Sequence, residues 1–175
     1  MKISVIGYSG SGKSTLARDL SLHYGISALH LDTVHWLPFW RERDRLDEIN
    51  IVTDFLDVNS SWVIDGNYSK VCFERRLKES DEIVFMSFNR FASLHRVIRR
   101  YRQFRGESRY SMTKGCEEKL DFDFIKWVLH KGRSKKYREM YKRVLKTYSH
   151  KITVIKNQKQ LDAYKNKIIT QRGAQ

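Results

Sequence analysis

Residues 5–15, VIGYSGSGKST, hold the clearest chemical signal in the chain. Gly7, Gly12, Lys13 and Ser14 fit the spacing G-x-x-x-x-G-K-[ST], and Ile3, Val5 and Ile6 supply the strand that this spacing needs before it. A glycine-rich turn of this kind lets successive backbone N–H groups converge on oxygen anions, and the helix that follows aims its positive end at the same place. Gly10 and the small Ser9 and Ser11 keep bulk out of that nest. Lys13 would bridge the β- and γ-phosphates of ATP, Ser14 would offer its hydroxyl to Mg²⁺, and Thr15 completes the loop. An ordinary turn between strand and helix is the plain alternative, and the joint arrival of strand, loop and Lys-Ser-Thr ending weighs against it.

Phosphate chemistry also needs carboxylates near Ser14. Asp32 ends the run ALHLD and Asp65 ends the run WVID, so each is expected at the end of a buried strand. Such an aspartate can hold Mg²⁺ through water or accept the proton of an attacking hydroxyl, and it can also simply cap the next loop. Asp65 is read as standing behind Ser14 at the metal, and Asp32 as orienting or deprotonating the acceptor. A moving phosphoryl group needs positive charge around it as well. Arg96, Arg99 and Arg100 lie at i, i+3 and i+4, on one helix face, and Arg102 and Arg105 continue the cluster. These arginines repel one another unless an anion is present, which fits a lid closing over ATP and excluding water; a solvated basic face is the bland reading. Trp36, Phe39 and Trp40, with His35 among them, offer an apolar wall for a planar substrate or a core role. Gly66, Asn67 and Tyr68 either touch the acceptor or build a turn.

The elements that must position these groups are legible from hydrophobic pattern. Five short apolar runs, 2–6, 28–31, 62–64, 82–88 and 152–155, read as strands alternating with helical stretches, which predicts a parallel sheet covered on both faces with ligands at the strands' C-terminal ends. Gly25 marks the stop of the first helix. Leu46, Ile49, Val52 and Leu56 give a helix over 42–58. From 90 to 148 the pattern becomes a long helical insertion in three amphipathic segments, with the polar 105–119 stretch, RGESRYSMTKGCEEK, as a mobile loop between the first two. Its 90–133 part is the lid within a single domain spanning 1–175. After Asn157 a short helix and a frayed end are expected.

A chain of 175 residues is long enough for one full core, and 13% aromatics argue against disorder. With no long apolar run and a strand at the N-terminus, a soluble protein of the cytoplasm is expected. Cys72 and Cys116 stand apart and read as free thiols. The formal net charge of +14 attracts anions, and composition does not decide between nucleic acid and phosphorylated small molecules.

Taken together, GYSGSGKST, HLDTVHW, WVIDGNYS and LHRVIRRYRQFRG resemble the P-loop proteins described as DNA topology modulation proteins, small adenylate-kinase-like ATPases, over residues 1–155. That resemblance implies a P-loop α/β fold with a five-stranded parallel sheet in the order 2-3-1-4-5 and a helical lid. By the same likeness Lys13 and Ser14 bind the triphosphate and Mg²⁺, the Arg96 to Arg100 face supplies the lid arginines, and Lys156 and Asn157 lie near the adenine. Where adenylate kinases carry Asp-Gly-Phe-Pro-Arg this chain has Asp65-Gly66-Asn67-Tyr68-Ser69, which lacks the arginine that grips a monophosphate and counts against AMP. Two functions therefore stand at this point: a kinase moving the γ-phosphoryl of Mg-ATP to a small acceptor, and an ATP-dependent DNA-binding protein that uses the basic 90–143 region.

Overall fold

The computed structural model describes residues 1–172. Its centre is a sheet of five strands: β1 (Lys2–Gly7), β2 (Ser27–His30), β3 (Trp62–Asp65), β4 (Glu82–Met86) and β5 (Ile152–Ile155). Their order is 2-3-1-4-5 and every neighbouring pair is parallel, as expected. Continuous Val and Ile runs without polar alternation are what a strand needs when helices cover both of its sides. The helices are α1 (Lys13–Tyr24), α2 (Leu31–His35), α3 (Arg45–Val58), α4 (Phe73–Glu79), α5 (Arg90–Gln103), α6 (Phe122–Leu129), α7 (Lys135–Thr147) and α8 (Gln158–Arg172). On one face Ile3, Val5 and Val84 pack against Leu16 and Leu20 of α1 and Leu161 and Ile168 of α8. On the other, Ile6, Ile83 and Phe85 meet Phe73 and Leu77 of α4 and Tyr141 and Val144 of α7. A third cluster joins Trp62 and Ile64 to Leu31, Val52 and Leu56 beside the β2 edge. Among the described residues no helix is long and apolar enough to cross a membrane.

Because β1 sits between β3 and β4, the connections leave it in opposite directions and open a crevice above its C-terminal end, where the glycine-rich loop begins. Gly7 makes that exit. Its φ is +142°, and a Cβ there would stand 2.3 Å from the Met86 carbonyl oxygen on β4. Strain at the backbone and the clash with a ladder strand add, so Gly7→Ala is expected to cost about 3 kcal/mol, read as a lower urea midpoint at unchanged slope. Helix α1 ends as anticipated at Gly25, left-handed at φ 63°, with its N–H on the Ser21 carbonyl.

Several local expectations shift. Strand β2 runs over 27–30, so Asp32 lies in the first turn of α2 and not at the strand end, which His30 occupies. On α3 the periodic Leu46 is 69% exposed while Glu48 is buried, because α3 turns a mixed face to the core. The third amphipathic segment is α7, which forms part of the cover of the sheet. The 105–119 stretch, expected to be mobile, is instead docked: Ser111, Cys116 and Glu118 are buried, and its backbone bonds to the 36–42 hairpin described next. Trp36–Leu37 pairs antiparallel with Arg41–Glu42 around a tip in which Phe39 and Trp40 both have positive φ. Phe39 is 80% exposed and so builds no wall. Of the QRGAQ end expected to fray, Gln171 and Arg172 close α8, and 173–175 lie outside the described residues.

Candidate active site

The loop between β1 and α1 is closed on itself. Lys13 Nζ donates to the Tyr8 carbonyl at 3.1 Å, Gly12 caps α1 in the left-handed region at φ 95°, and a Cβ on Gly10 would lie 2.6 Å from the Ser93 carbonyl of α5. Burial lowers the Lys13 pKa, with Asp32 and Asp65 acting in the opposite sense and Arg100 and Arg109 adding to the lowering. Those four groups therefore share the field of the loop. The Ser11 hydroxyl is buried without a hydrogen-bond partner among the described residues, an orphan placed inside a nest of backbone donors and suited to a phosphate oxygen. Ser9 accepts from Trp127 Nε1 of α6 at 3.0 Å, and Arg18 of α1 lies over the Tyr110 ring at 4.9 Å.

Beside the loop, Ser14 Oγ donates to Asp65 Oδ2 at 2.7 Å. The other Asp65 oxygen pairs with Nδ1 of His30. A hydroxyl and a buried carboxylate oriented by a histidine form a donor set that suits a hard cation shared with phosphate oxygens. The register of β3 against β1 and β2 produces this meeting: Asp65 pairs with Val5 on one side and His30 on the other. Lys13, Ser14, Asp65 and Asp32 are thus brought to one mouth.

Asp32 is held by Tyr68, whose hydroxyl donates to Oδ1 at 2.7 Å; burial and this carboxylate push the Tyr68 pKa well up. Asn67 does not reach toward an acceptor. Its side chain brackets Gly7, accepting from the Gly7 N–H at 3.1 Å and donating to its carbonyl at 2.9 Å. His35 is tied through Nδ1 to Glu48 at 2.5 Å, and Arg45 pairs with the same carboxylate, so the buried Glu48 has a local reason. Beneath the 66–71 turn lies Arg76, fully buried, which donates to the carbonyls of Val71, Gly66 and Asn67. Arg76→Ala strips the carbonyls of Val71, Gly66 and Asn67 of this donor, and a loss of about 3 kcal/mol is expected in chemical denaturation.

The arginines expected to act as a group divide between two ends of the cleft. Arg96 donates to the Ser11 carbonyl at 2.9 Å and lies over the Phe88 ring at 4.1 Å. With Arg99, Lys156 and Asn157 it lines a cavity of about 450 Å³ on the β5 side. Arg100 instead turns to the buried Glu118 at 2.7 Å, and Arg109 takes the second oxygen of that carboxylate at 2.5 Å. Sequence reasoning passed over His30, Arg76, Arg109, Glu118 and Trp127. His30 stands in the quoted HLD, so its place at a strand end was visible; the other four meet their partners only through the fold. The 105–119 stretch reaches across the cleft to the 33–39 segment. Thr113 donates to the Thr33 and Trp36 carbonyls, the Phe39 N–H donates to Gly115, and the Cys116 thiol donates to Leu37.

No known family profile matches the chain. It is 27% identical over 129 residues to a Bacillus subtilis protein named only as uncharacterized protein YqaC, across 72% of this chain and 70% of that one. Among solved structures it superposes on shikimate kinase from Acinetobacter baumannii in complex with shikimate, with a TM-score of 0.59 at 17% identity over 99% of this chain and 93% of the other. Deoxyadenosine kinase from M. mycoides with bound dATP gives 0.57 at 15% identity over 96% and 99%. At these identities the likeness establishes the fold, a P-loop kinase-like α/β sheet.

Proposed function

We propose that this chain is a P-loop phosphotransferase that takes Mg-ATP in its 7–15 loop and passes the γ-phosphoryl group to a small acceptor on the Asp32 side of the cleft. One observation carries the reading: the Ser14 hydroxyl and the Asp65 carboxylate meet at 2.7 Å beside the phosphate loop, with Lys13 and Asp32 in the same field. Ser14 and Asp65 would hold Mg²⁺, whose charge screens the phosphoryl group during transfer. Lys13 would leave the Tyr8 carbonyl for the β- and γ-phosphates, and the backbone of Ser9, Gly10, Ser11 and Gly12 would cradle them. Arg96 and Arg100 would stabilise the charge that spreads over the phosphoryl oxygens. Asp32 would orient the acceptor hydroxyl and take its proton. The cavity lined by Arg96, Lys156 and Asn157 would hold the adenine.

Residues 90–133 would serve as the lid of a single domain. They touch the loop through Arg96 and Trp127, contacts that a bound nucleotide would have to rearrange. The test is ADP release with Mg-ATP against a panel of small hydroxylated compounds and nucleotides, with duplex DNA as one member. Acceptor-dependent turnover with a phosphorylated product upholds the reading. Stimulation by DNA alone, or ATP binding without any acceptor-dependent turnover, removes it in favour of a basic nucleic-acid surface.

A further inference from the structure

The charges around Asp32 narrow the acceptor, on the premise that phosphoryl transfer occurs here. The acceptor half of the cleft is built from Asp32, Tyr68, His35 and Glu48. It presents one carboxylate, Asp32, since Glu48 is 1% exposed and held by His35 and Arg45, and rings in mutual contact: His35 lies 4.9 Å from Tyr68 and 4.5 Å from Trp36. The arginines that bond into this half do so to protein acceptors. Arg43 donates to the Val34 carbonyl at 2.7 Å, Arg45 to Glu48, and Arg76 to three backbone carbonyls. The two guanidinium groups that act on Lys13, Arg100 and Arg109, share Glu118. The roof over the 33–39 segment consists of neutral bonds from Thr113, Gly115 and Cys116.

An acceptor bearing its own phosphate or carboxylate would bring negative charge against the Asp32 carboxylate, and would compete with Glu118 and the transferring phosphoryl group for the guanidinium groups of Arg100 and Arg109. Like charge placed against like in a desolvated cleft is the arrangement by which sites exclude a partner. A neutral hydroxyl compound meets no such cost: the hydroxyl donates to Asp32, and a planar ring lies against Tyr68, His35 and Trp36.

We propose that the acceptor is an uncharged, ring-bearing hydroxyl compound of the nucleoside type, and that phosphomonoesters and hydroxy acids are rejected. In the transfer step the acceptor oxygen forms a bond to the γ-phosphorus of ATP while the bond from that phosphorus to the β,γ-bridging oxygen breaks. ADP leaves with the bonding pair, and the acceptor proton passes to Asp32.

Steady-state ADP release by the full chain, with products identified by phosphorus NMR, should be compared for matched pairs: deoxyadenosine, adenosine and cytidine against their 5′-monophosphates, with shikimate as a hydroxy acid. The expected result is turnover of at least one nucleoside, with kcat/KM for its monophosphate lower by about a hundredfold. Preference for a monophosphate or for shikimate overturns this proposal and leaves the transferase reading standing. No acceptor-dependent release from any member, with ATP binding demonstrated by calorimetry, overturns the transferase reading and this proposal with it.

Discussion

Lys13→Ala abolishes the stabilisation of the protein by ATP while leaving the ligand-free melting temperature nearly unchanged. The second half of this expectation is the informative one. Lys13 is half-buried and burial holds its ammonium below its ordinary pKa, so the ligand-free fold carries a desolvation cost for that charge, which its removal relieves. Its one bond, to the Tyr8 carbonyl at 3.1 Å, is to an atom that also accepts the Ser11 N–H, so no buried acceptor is orphaned. With ATP at about a hundred times its dissociation constant the wild-type chain gains ~2.7 kcal/mol, a shift of roughly 5–10 °C for a domain of this size. The variant should show no shift by differential scanning fluorimetry. A retained shift would mean that the triphosphate sits elsewhere.

Asp32→Asn is expected to lower phosphoryl transfer by about 10²–10⁴-fold while ATP affinity, measured by calorimetry, stays within about twofold. An amide keeps the oxygen that accepts the Tyr68 hydroxyl at 2.7 Å, so the fold around α2 survives, but it has no basicity with which to take the acceptor proton. Asp65→Asn makes the contrast. Asp65 bonds Ser14 and pairs with His30, so its loss should raise the Mg²⁺ concentration needed for half-maximal turnover, an effect Asp32→Asn should not have. Transfer that is indifferent to Asp32→Asn sinks the base role.

The strand-loop-helix unit at 2–24 was legible in full because it is specified locally: an apolar run, glycines where φ must be positive, and a helix stop at Gly25. The β3 strand ending at Asp65 was legible for the same reason. The charge logic was not. Five arginines in 96–105 read alike on a helix, but Arg96 meets the loop and Arg100 meets Glu118, a difference set by what lies across from each. The 105–119 stretch carries the composition of a mobile loop, and its bonds go to backbone carbonyls in 33–37, which no composition reveals. Asn67 reads equally as turn or ligand until β1 is placed beside it.

By itself, then, the sequence determined the parallel α/β architecture and the phosphate loop, since each depends on residue type, period and backbone freedom within short windows, whereas the strand order was anticipated only through the family resemblance. Only the tertiary structure decided which charges are spent on the protein and which remain for a ligand. His30 with Asp65, Arg100 of α5 with Glu118, and Trp127 with Ser9 are contacts between segments that the fold brings together. A buried charge is governed by its neighbours in space and not by its neighbours in the chain.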